Sequence, residues 1–311
     1  MDFHLKTAIN KFDFKLNFES NIVLIGSCFS DEMDCFFKNG GLNTLSNPFG
    51  TLFHPLSIAN CIESSINENE SVDVYQRDDL FFSWDSSGVV CGETESDLIE
   101  QVLARRKALR AALKSNSLLL VTFGTSWGYR LKDSNRVVGN CHKKSQDSFQ
   151  RQLNTTEEML ERWQSLCAEL LKFNPALKIV FTVSPVRHKK DGLIDNNRSK
   201  ARLIELVHNL VSEDVFYFPS YEIVLDELRD YRFYAKDLVH PNDAAVEYVW
   251  ERLSEAIFSE NQLMIMKKVA NLKTTMVHKS LFPNSKEDKA RIEKANELRN
   301  QLSSEYPSIQ W

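Results

Sequence analysis

The chain has 311 residues, of which 42% are hydrophobic and 26% are charged, and its formal net charge is −5. This length and composition favour one large α/β domain with an appendage over two equal domains. The negative net charge argues against a nucleic acid or an anionic membrane surface as a partner. No apolar stretch approaches the length that is needed to span a bilayer.

The start of the chain and the cysteines bear on the compartment. Residues 1–6 lack the basic segment and apolar run of a signal peptide. The six cysteines are scattered singly, without Cys-x-x-Cys pairs, at positions 28, 35, 61, 91, 141 and 167. Such spacing is typical of free thiols in a reducing compartment and indicates no metal site. We therefore expect a cytoplasmic protein without metal or cofactor; the sequence indicates no oligomeric state.

Predicted strands and helices alternate along the chain. Residues 3–20 alternate apolar and polar side chains, which favours an edge strand or an extended lead-in. Strands are predicted at 22–25, 42–45, 118–123, 178–183 and 215–217. Helices are predicted at 31–37, 54–62, 98–113, 159–170, 198–211 and 246–257, with two more after residue 260. Residues 71–93 are typical of a β-hairpin insertion, with arms at 80–84 and 88–91 around a turn at 85–87.

Continuous apolar strands that alternate with helices predict a parallel sheet covered on both faces. Ligands bind such sheets at the carboxyl ends of the strands. Ser27, Gly50, Gly124 and Ser184 all follow predicted strands or lie in the loops after them, so we expect them along one edge of the sheet. We predict one domain over residues 1–258 and a C-terminal helical extension over residues 259–311.

Ser27 stands where the first buried strand ends and a helix with an acidic first turn begins. Gly26 before it permits a sharp turn. A serine in this place can be a nucleophile, with nearby backbone N–H groups that stabilise an oxyanion. On this stretch alone the favoured interpretation is the N-cap of the helix, a position that serine prefers.

Another motif, Asp237-Leu238-Val239-His240-Pro241, precedes an amphipathic helix. Pro241 biases His240 toward an extended conformation in a loop. Asp237 can fold back to hold one ring nitrogen of His240, which leaves the other free as a base. Together with Ser27, this pair has the composition of a Ser-His-Asp triad.

The segment Gly26-Ser27-Cys28-Phe29-Ser30 resembles the signature of the GSCFA family, a branch of the SGNH (GDSL-like) hydrolase superfamily, with Ser30 where the name has Ala. Other stretches resemble the same family in order, at 47–51, 123–127, 140–143, 184–188, 217–222 and 237–241. The resemblance covers about residues 3 to 258. It implies a three-layer α/β/α sandwich with a mostly parallel, roughly five-stranded, flavodoxin-like sheet and a Ser/Asp-x-x-His site.

The resemblance also implies the oxyanion donors. In the SGNH superfamily these are the N–H of the serine, the N–H of a glycine in the second motif and an Asn side chain in the third. Ser27 and Gly50 match the first two. The third motif begins at Gly124 and has no Asn, so the hydroxyl of Thr125 or Ser126, or the amide of Asn140 from the next loop, is the alternative.

Four other residues are candidates for the site. Cys28 competes with Ser27 as the nucleophile, because a helix N-terminus can lower a thiol pKa. Adjacent helical residues point about 100° apart, so only one of them can face His240, and the family pattern favours Ser27. His142 either contacts substrate or is a loop histidine without a role. Arg187 and His188 lie near the predicted edge, and Arg187 suits either a substrate carboxylate or phosphate or an Asp of the fold.

The leading interpretation is a serine esterase or acyltransferase that acts through an acyl-enzyme on an ester or O-acylated small molecule or glycan. The alternative is a catalytically weak SGNH-like protein that binds a ligand or partner, since the third motif lacks its Asn. A thiol-dependent enzyme that uses Cys28 is the third hypothesis.

Overall fold

The structure is a computed structural model that describes residues 5–10, 12–115, 117–278, 281–283 and 285–311. Residues 1–4, on which the signal-peptide expectation partly rests, lie outside this part of the chain. The described strands are β1 (Asn21–Gly26), β2 (Asn43–Ser46), β3 (Val74–Arg77), β4 (Leu80–Ser83), β5 (Cys91–Gly92), β6 (Ser117–Phe123), β7 (Trp127–Leu131), β8 (Val137–Val138), β9 (Phe149–Leu153), β10 (Lys178–Val183) and β11 (Val215–Phe218).

The described α-helices are α1 (Cys28–Asn39), α2 (Pro55–Ile66), α3 (Glu95–Lys114), α4 (Thr156–Phe173), α5 (Leu193–Leu210), α6 (Ser220–Glu222), α7 (Asp243–Ile257), α8 (Glu260–Val277) and α9 (Lys286–Glu305). A π-helical segment, Ile223–Leu228, continues α6. Short 3₁₀ turns cover Gln146–Ser148, Lys189–Asp191 and Tyr231–Phe233.

Five parallel strands form the central sheet, in the order β11-β10-β6-β1-β2. In the register, Ile22 lies opposite Leu118 of β6 and Thr44 of β2. Counted along the chain within this sheet, the strand order is 2-1-3-4-5, which is the flavodoxin-like doubly wound order. The predicted fold class is confirmed, and the pairs in this sheet are all parallel.

Successive residues of the central strands pack into different cores, as expected where both faces of a sheet are buried. On β1, Val23 and Ile25 belong to the core shared with α2, α3, α4 and α5. Ile22 and Leu24 belong to the core shared with α1, α7, α8 and α9. The result is a three-layer α/β/α arrangement.

The two ends of the chain pack into the second core. Phe12, Leu16 and Phe18 are buried there, although this lead-in makes only an isolated parallel bridge, between Leu16 and Phe258. It is the extended lead-in of the two predicted alternatives. The C-terminal residues close the same face, since the backbone N–H of Gln310 donates to the carbonyl of Gly41 at 2.9 Å.

Two small antiparallel sheets extend from the main domain. In the first, β4 pairs with β5, but the second arm, predicted at 88–91, is only Cys91–Gly92, and β3 adds a third strand through a turn at 78–79. The turn predicted at 85–87 is buried, and the carboxylate of Asp85 is ion-paired there with Arg106 and Arg136. The second sheet, in the order β8-β7-β9, has no counterpart among the predicted elements.

The close approach of β1 to β6 at Gly26 gives a test of the fold. Gly26 has φ +144°, and a Cβ there would lie 2.1 Å from the carbonyl oxygen of Thr122. We expect Gly26→Ala to lower the free energy of unfolding by about 3 kcal/mol, because both backbone strain and a clash are introduced.

The matched control is Gly88→Ala. A Cβ at Gly88 meets nothing within 4 Å. We expect a change in unfolding free energy of about 0.5 kcal/mol or less. Urea denaturation of both variants checks the comparison, and equal midpoints for the two would show that the β1–β6 contact is not constraining.

Candidate active site

Ser27 lies between the end of β1 and the start of α1. Its side chain is buried, with 1% exposed, and its Oγ accepts a long hydrogen bond of 3.4 Å from the N–H of Phe29. Its own N–H donates to the carbonyl of Thr122 at 3.1 Å. Ser27 therefore caps α1, as one interpretation predicted, and the length of the cap bond leaves its Oγ weakly held.

The loop after β2 is held against the end of β1 by one side chain. The Oδ1 of Asn47 accepts the N–H of Gly26 at 2.8 Å, and its Nδ2 donates to Asp31 at 2.8 Å. Further along, the N–H of Leu52 donates to the carbonyl of Gly26 at 2.9 Å. These bonds place residues 47–51, the motif that carries Gly50, beside Ser27.

Gly50 occupies the tightest part of this loop. Its φ is +71°, and a Cβ there would lie 1.9 Å from the Oγ of Ser87, so the first small sheet packs directly on it. Its N–H donates to the carbonyl of Asn47 at 2.7 Å. The N–H groups of Gly50 and Ser27, which the resemblance assigns to the oxyanion, are thus both hydrogen-bonded within the protein.

Asp237 and His240 form the predicted pair. The Nδ1 of His240 lies 2.7 Å from Oδ2 of Asp237, whose Oδ1 accepts the N–H groups of Val239 and His240 at 2.9 and 3.1 Å. The bond to the ring, followed by the two backbone bonds, lowers the pKa of Asp237 to about 2. Both side chains are about half-exposed. The arrangement orients the ring so that its Nε2 is turned away from Asp237.

Arg187 anchors the loop that carries this pair. Its N–H donates to the carbonyl of Val239 at 3.2 Å, and its guanidinium donates to the carbonyl of Leu238 at 3.3 Å. The guanidinium also lies over the rings of Tyr231 and Tyr234, 5.0 and 4.2 Å from their centroids. Arg187 therefore contacts the fold through carbonyl groups and aromatic rings; a substrate carboxylate or phosphate and an Asp of the fold were the two equal expectations from the sequence.

His188 lies between Phe53, which follows the motif of Gly50, and the loop of His240. Its ring meets the edge of Phe53 at 5.6 Å. Burial, followed by the nearby charges of Lys200 and His240, lowers the pKa of His188 to about 4, so the ring is neutral near pH 7. Phe53 in turn accepts the N–H of Gly124 at 2.8 Å. A chain of contacts thus runs from the end of β1 to His240, although no hydrogen bond joins Ser27 to His240 among the described residues.

The proposed substitutes for the missing Asn are engaged elsewhere. Thr125 Oγ1 and Ser199 Oγ are 3.0 Å apart, and the hydroxyl of Ser126 donates to the carbonyl of Ser199 at 3.2 Å. Asn140 is exposed, and its Oδ1 accepts the N–H of His142 at 2.8 Å. These bonds hold Thr125 and Ser126 against α5 and use Asn140 to cap a turn.

His142 lies in a turn after β8 and packs against the first small sheet. Its Nε2 lies 2.8 Å from the carbonyl oxygen of Ser83, and its ring stacks on Phe82 at 4.8 Å. Burial lowers the pKa of His142. These contacts give His142 a packing role against Phe82 and Ser83.

The environment of Cys28 is unlike that of a reactive thiol. Burial and the neighbouring carboxylates of Asp31 and Glu32 raise its pKa. The expectation that the helix N-terminus lowers this pKa is therefore wrong, because the acidic first turn and the burial outweigh it.

Lys200 is a site residue that sequence reasoning missed. Its side chain is 1% exposed, and its Nζ donates to the carbonyls of Gly124 and Ser184, both at 2.6 Å. Burial lowers its pKa to about 7. The signal was its spacing from Leu203 and Val207, which puts a lysine on the apolar face of α5.

Two absences concern the part of the chain that the structure describes. No cluster of three or more His, Cys, Asp or Glu side chains there is arranged to hold a metal ion. No helix there has the length and apolar character to cross a bilayer.

Comparison with solved structures finds distant likenesses. An acetyl xylan esterase from the rumen bacterium Butyrivibrio proteoclasticus has a TM-score of 0.41 and 12% identity, over 79% of this chain and 65% of that one. A carbohydrate esterase family 3 protein from Talaromyces cellulolyticus has a TM-score of 0.36 and 6% identity, over 80% and 99%. A family two carbohydrate esterase from Clostridium thermocellum has a TM-score of 0.36 and 12% identity, over 80% and 66%. The chain thus spans just under two thirds of the first and third of these proteins.

No curated protein matches the chain. The GSCFA family model matches residues 21–253, which include Ser27, Asp237 and His240. This match covers most of the 311 residues. The chain therefore belongs to the GSCFA family.

Proposed function

We propose that this protein is a serine-dependent esterase or acyltransferase that forms an acyl-enzyme on an ester or O-acylated small molecule or glycan. The observation that carries the proposal is the 2.7 Å contact between His240 and Asp237. Arg187, from the segment after β10, anchors the loop of this pair at the carboxyl edge of the sheet, where Ser27 follows β1. A base with an oriented ring and a hydroxyl at a helix N-terminus are the two parts that acyl transfer needs.

In the first half of the reaction, Ser27 Oγ attacks the carbonyl carbon of the ester as its proton passes to Nε2 of His240. The carbonyl electrons move to the oxygen, which becomes the oxyanion. When this intermediate collapses, the bond to the alcohol oxygen breaks and His240 returns the proton to that oxygen. Asp237 stays ionised throughout and stabilises the imidazolium.

In the second half, a hydroxyl group attacks the acyl-enzyme while His240 accepts its proton. Collapse then breaks the bond to Ser27 Oγ, which regains a proton from His240. Water as the attacking group gives hydrolysis, and a hydroxyl of a second substrate gives transfer. Both reactions use the same residues, and only the acceptor differs.

The oxyanion requires donors that point at it. The N–H groups of Ser27 and Gly50 are the donors in this proposal. Each already bonds a carbonyl, of Thr122 and Asn47 respectively, so an oxyanion would share each N–H in a three-centre bond. Catalytic hydrogen bonds of this kind tighten when substrate binds.

A ligand- or partner-binding protein with little catalysis is the second candidate function. It is favoured by the 1% exposure of Ser27 and by the engagement of both N–H donors. Under this alternative the same edge of the sheet binds a ligand, and Ser27 acts as the cap of α1.

Labelling with a fluorophosphonate probe separates the two functions. We expect stoichiometric labelling of the wild type and none of Ser27→Ala or His240→Ala, because the probe reacts only with an activated serine. The matched control is His208→Ala, at an exposed histidine of α5, which we expect to label like the wild type. A folded wild type that does not label would favour the binding protein.

Asp237→Asn tests the orienting role. An amide cannot hold the Nδ1–H tautomer as a carboxylate does, so we expect labelling to slow by about 10²–10⁴-fold. The control is Asp226→Asn, at a nearby exposed acid that lies 3.7 Å from Arg229. Equal labelling rates for Asp237→Asn and the wild type would remove Asp237 from the mechanism.

Cys28→Ala tests the thiol hypothesis. Because the pKa of this thiol is raised, little thiolate forms near pH 7, and we expect the variant to label at the wild-type rate. Loss of labelling in Cys28→Ala, with labelling retained in Ser27→Ala, would instead identify the thiol as the nucleophile.

A further inference from the structure

Lys200 is an unusual buried charge. It lies in α5 with 1% of its surface exposed, on the face that carries the core residues Leu203 and Val207. Burying an ammonium group is costly unless it is well paired. The described residues give it no carboxylate partner, and its two hydrogen bonds go to backbone carbonyls.

The two carbonyls lie at corresponding places in the sheet. Gly124 is the first residue after β6 and Ser184 the first after β10, and these strands are neighbours. The ladder between them ends where Ser184 donates its N–H to the carbonyl of Phe123 at 2.8 Å. The ammonium, 2.6 Å from each carbonyl, therefore joins the two loops just where they diverge.

Both loops lead into the candidate active site. Gly124 packs on Phe53, and a Cβ at Gly124 would lie 3.0 Å from that side chain. Ser184 begins the segment with Arg187, which binds the loop of His240, and with His188, which meets Phe53. The relative position of these loops sets where the His240 loop stands with respect to Phe53 and the end of β1.

The charge of Lys200 also acts on both sides of the site. The charge lowers the pKa of His188, and a thiolate at Cys28, next to Ser27, would raise the pKa of Lys200. The ring of Tyr221 lies 5.9 Å from its Nζ. These are the titratable groups that face it, from the loop after β10, from α1 and from α6.

We propose that Lys200 is a positioning residue of the candidate active site: it holds the loops after β6 and β10 together and so places His188 and the His240 loop. This inference rests on the proposed function for its activity readout. A merely structural lysine would stabilise the fold without affecting the histidines.

Arg202 supplies a matched control two residues along α5. Its Nη1 donates to the carbonyls of Leu153 and Asn154 at 2.7 and 2.6 Å. It therefore makes the same kind of contact, from a cation to two backbone carbonyls, but to the end of β9. The variants are Lys200→Met, which keeps an unbranched side chain one atom shorter than lysine and has no donors, Lys200→Gln, which keeps N–H donors, and Arg202→Met.

The first measurement is the fluorophosphonate labelling rate, with the melting temperature of each variant. We expect both Met variants to melt at a lower temperature than the wild type. Only Lys200→Met should label more slowly, by about 10- to 100-fold, because misplacing a catalytic group by about 1 Å has that effect. Lys200→Gln should recover part of the rate, and it decides the question if Lys200→Met does not fold. A labelling rate in the folded Lys200 variants equal to that of Arg202→Met would overturn the proposal.

The second measurement does not depend on activity. An NMR titration of the histidine rings should give His188 a pKa of about 4 in the wild type and a higher one in Lys200→Met, since a nearby positive charge is removed. The chemical shifts of the His240 ring should change in Lys200→Met and not in Arg202→Met. If the wild type never labels, the proposed function fails while this titration still decides the placement. Unchanged His188 and His240 signals in Lys200→Met would overturn it.

Discussion

The close approach of β1 to β6 at Gly26 is the constraint on which the candidate site depends. A side chain there would overlap the carbonyl of Thr122, so only glycine lets β1 end against its neighbour. The next residue, Ser27, then donates to the same carbonyl and starts α1. The side chain of Asn47 accepts the N–H of Gly26, and the N–H of Leu52 donates to its carbonyl. These two bonds bring residues 47–51, the motif that carries Gly50, beside Ser27.

The candidate site combines the buried hydroxyl of Ser27 with a half-exposed histidine, His240. Ser27 is enclosed by the strand ends, whereas His240 and Asp237 stand on a loop held by Arg187. A substrate that lay between them would exclude water from the pair, and electrostatic interactions strengthen as water is excluded. The loop geometry is therefore as important to the proposed chemistry as the identity of the three residues.

Buried and partly buried cations hold the parts of the molecule together by bonding backbone carbonyls. Lys200 bonds the ends of β6 and β10, and Arg202 bonds the end of β9. Arg106 does the same for the segment before β3, through the carbonyls of Asn69 and Ser71 at 2.7 Å. Carbonyls beyond the end of a strand lack ladder partners, and a long basic side chain satisfies two of them at once.

The sequence by itself determined the alternation of buried strands and helices, because apolar periodicity is a local property. It also indicated that Ser27 follows a strand and that Asp237 is three residues before His240, since that contact is local too. The sequence could not predict the hydrogen bonds of Thr125, Ser126 and Asn140. Each depends on which element packs against the loop, and Ser199 is 73 residues from Ser126.

Only the tertiary structure decided the contacts of Lys200 and the packing of the small sheets. A charged residue on an apolar helical face cannot be interpreted until its partners are known. One partner of Lys200, the carbonyl of Gly124, lies 76 residues away in the sequence. Short strands such as β7 to β9 gain their stability from pairing and from a shared cluster that includes Trp84 and Phe149. Such long-range contacts leave no local periodicity in the sequence, which is why they required the folded chain.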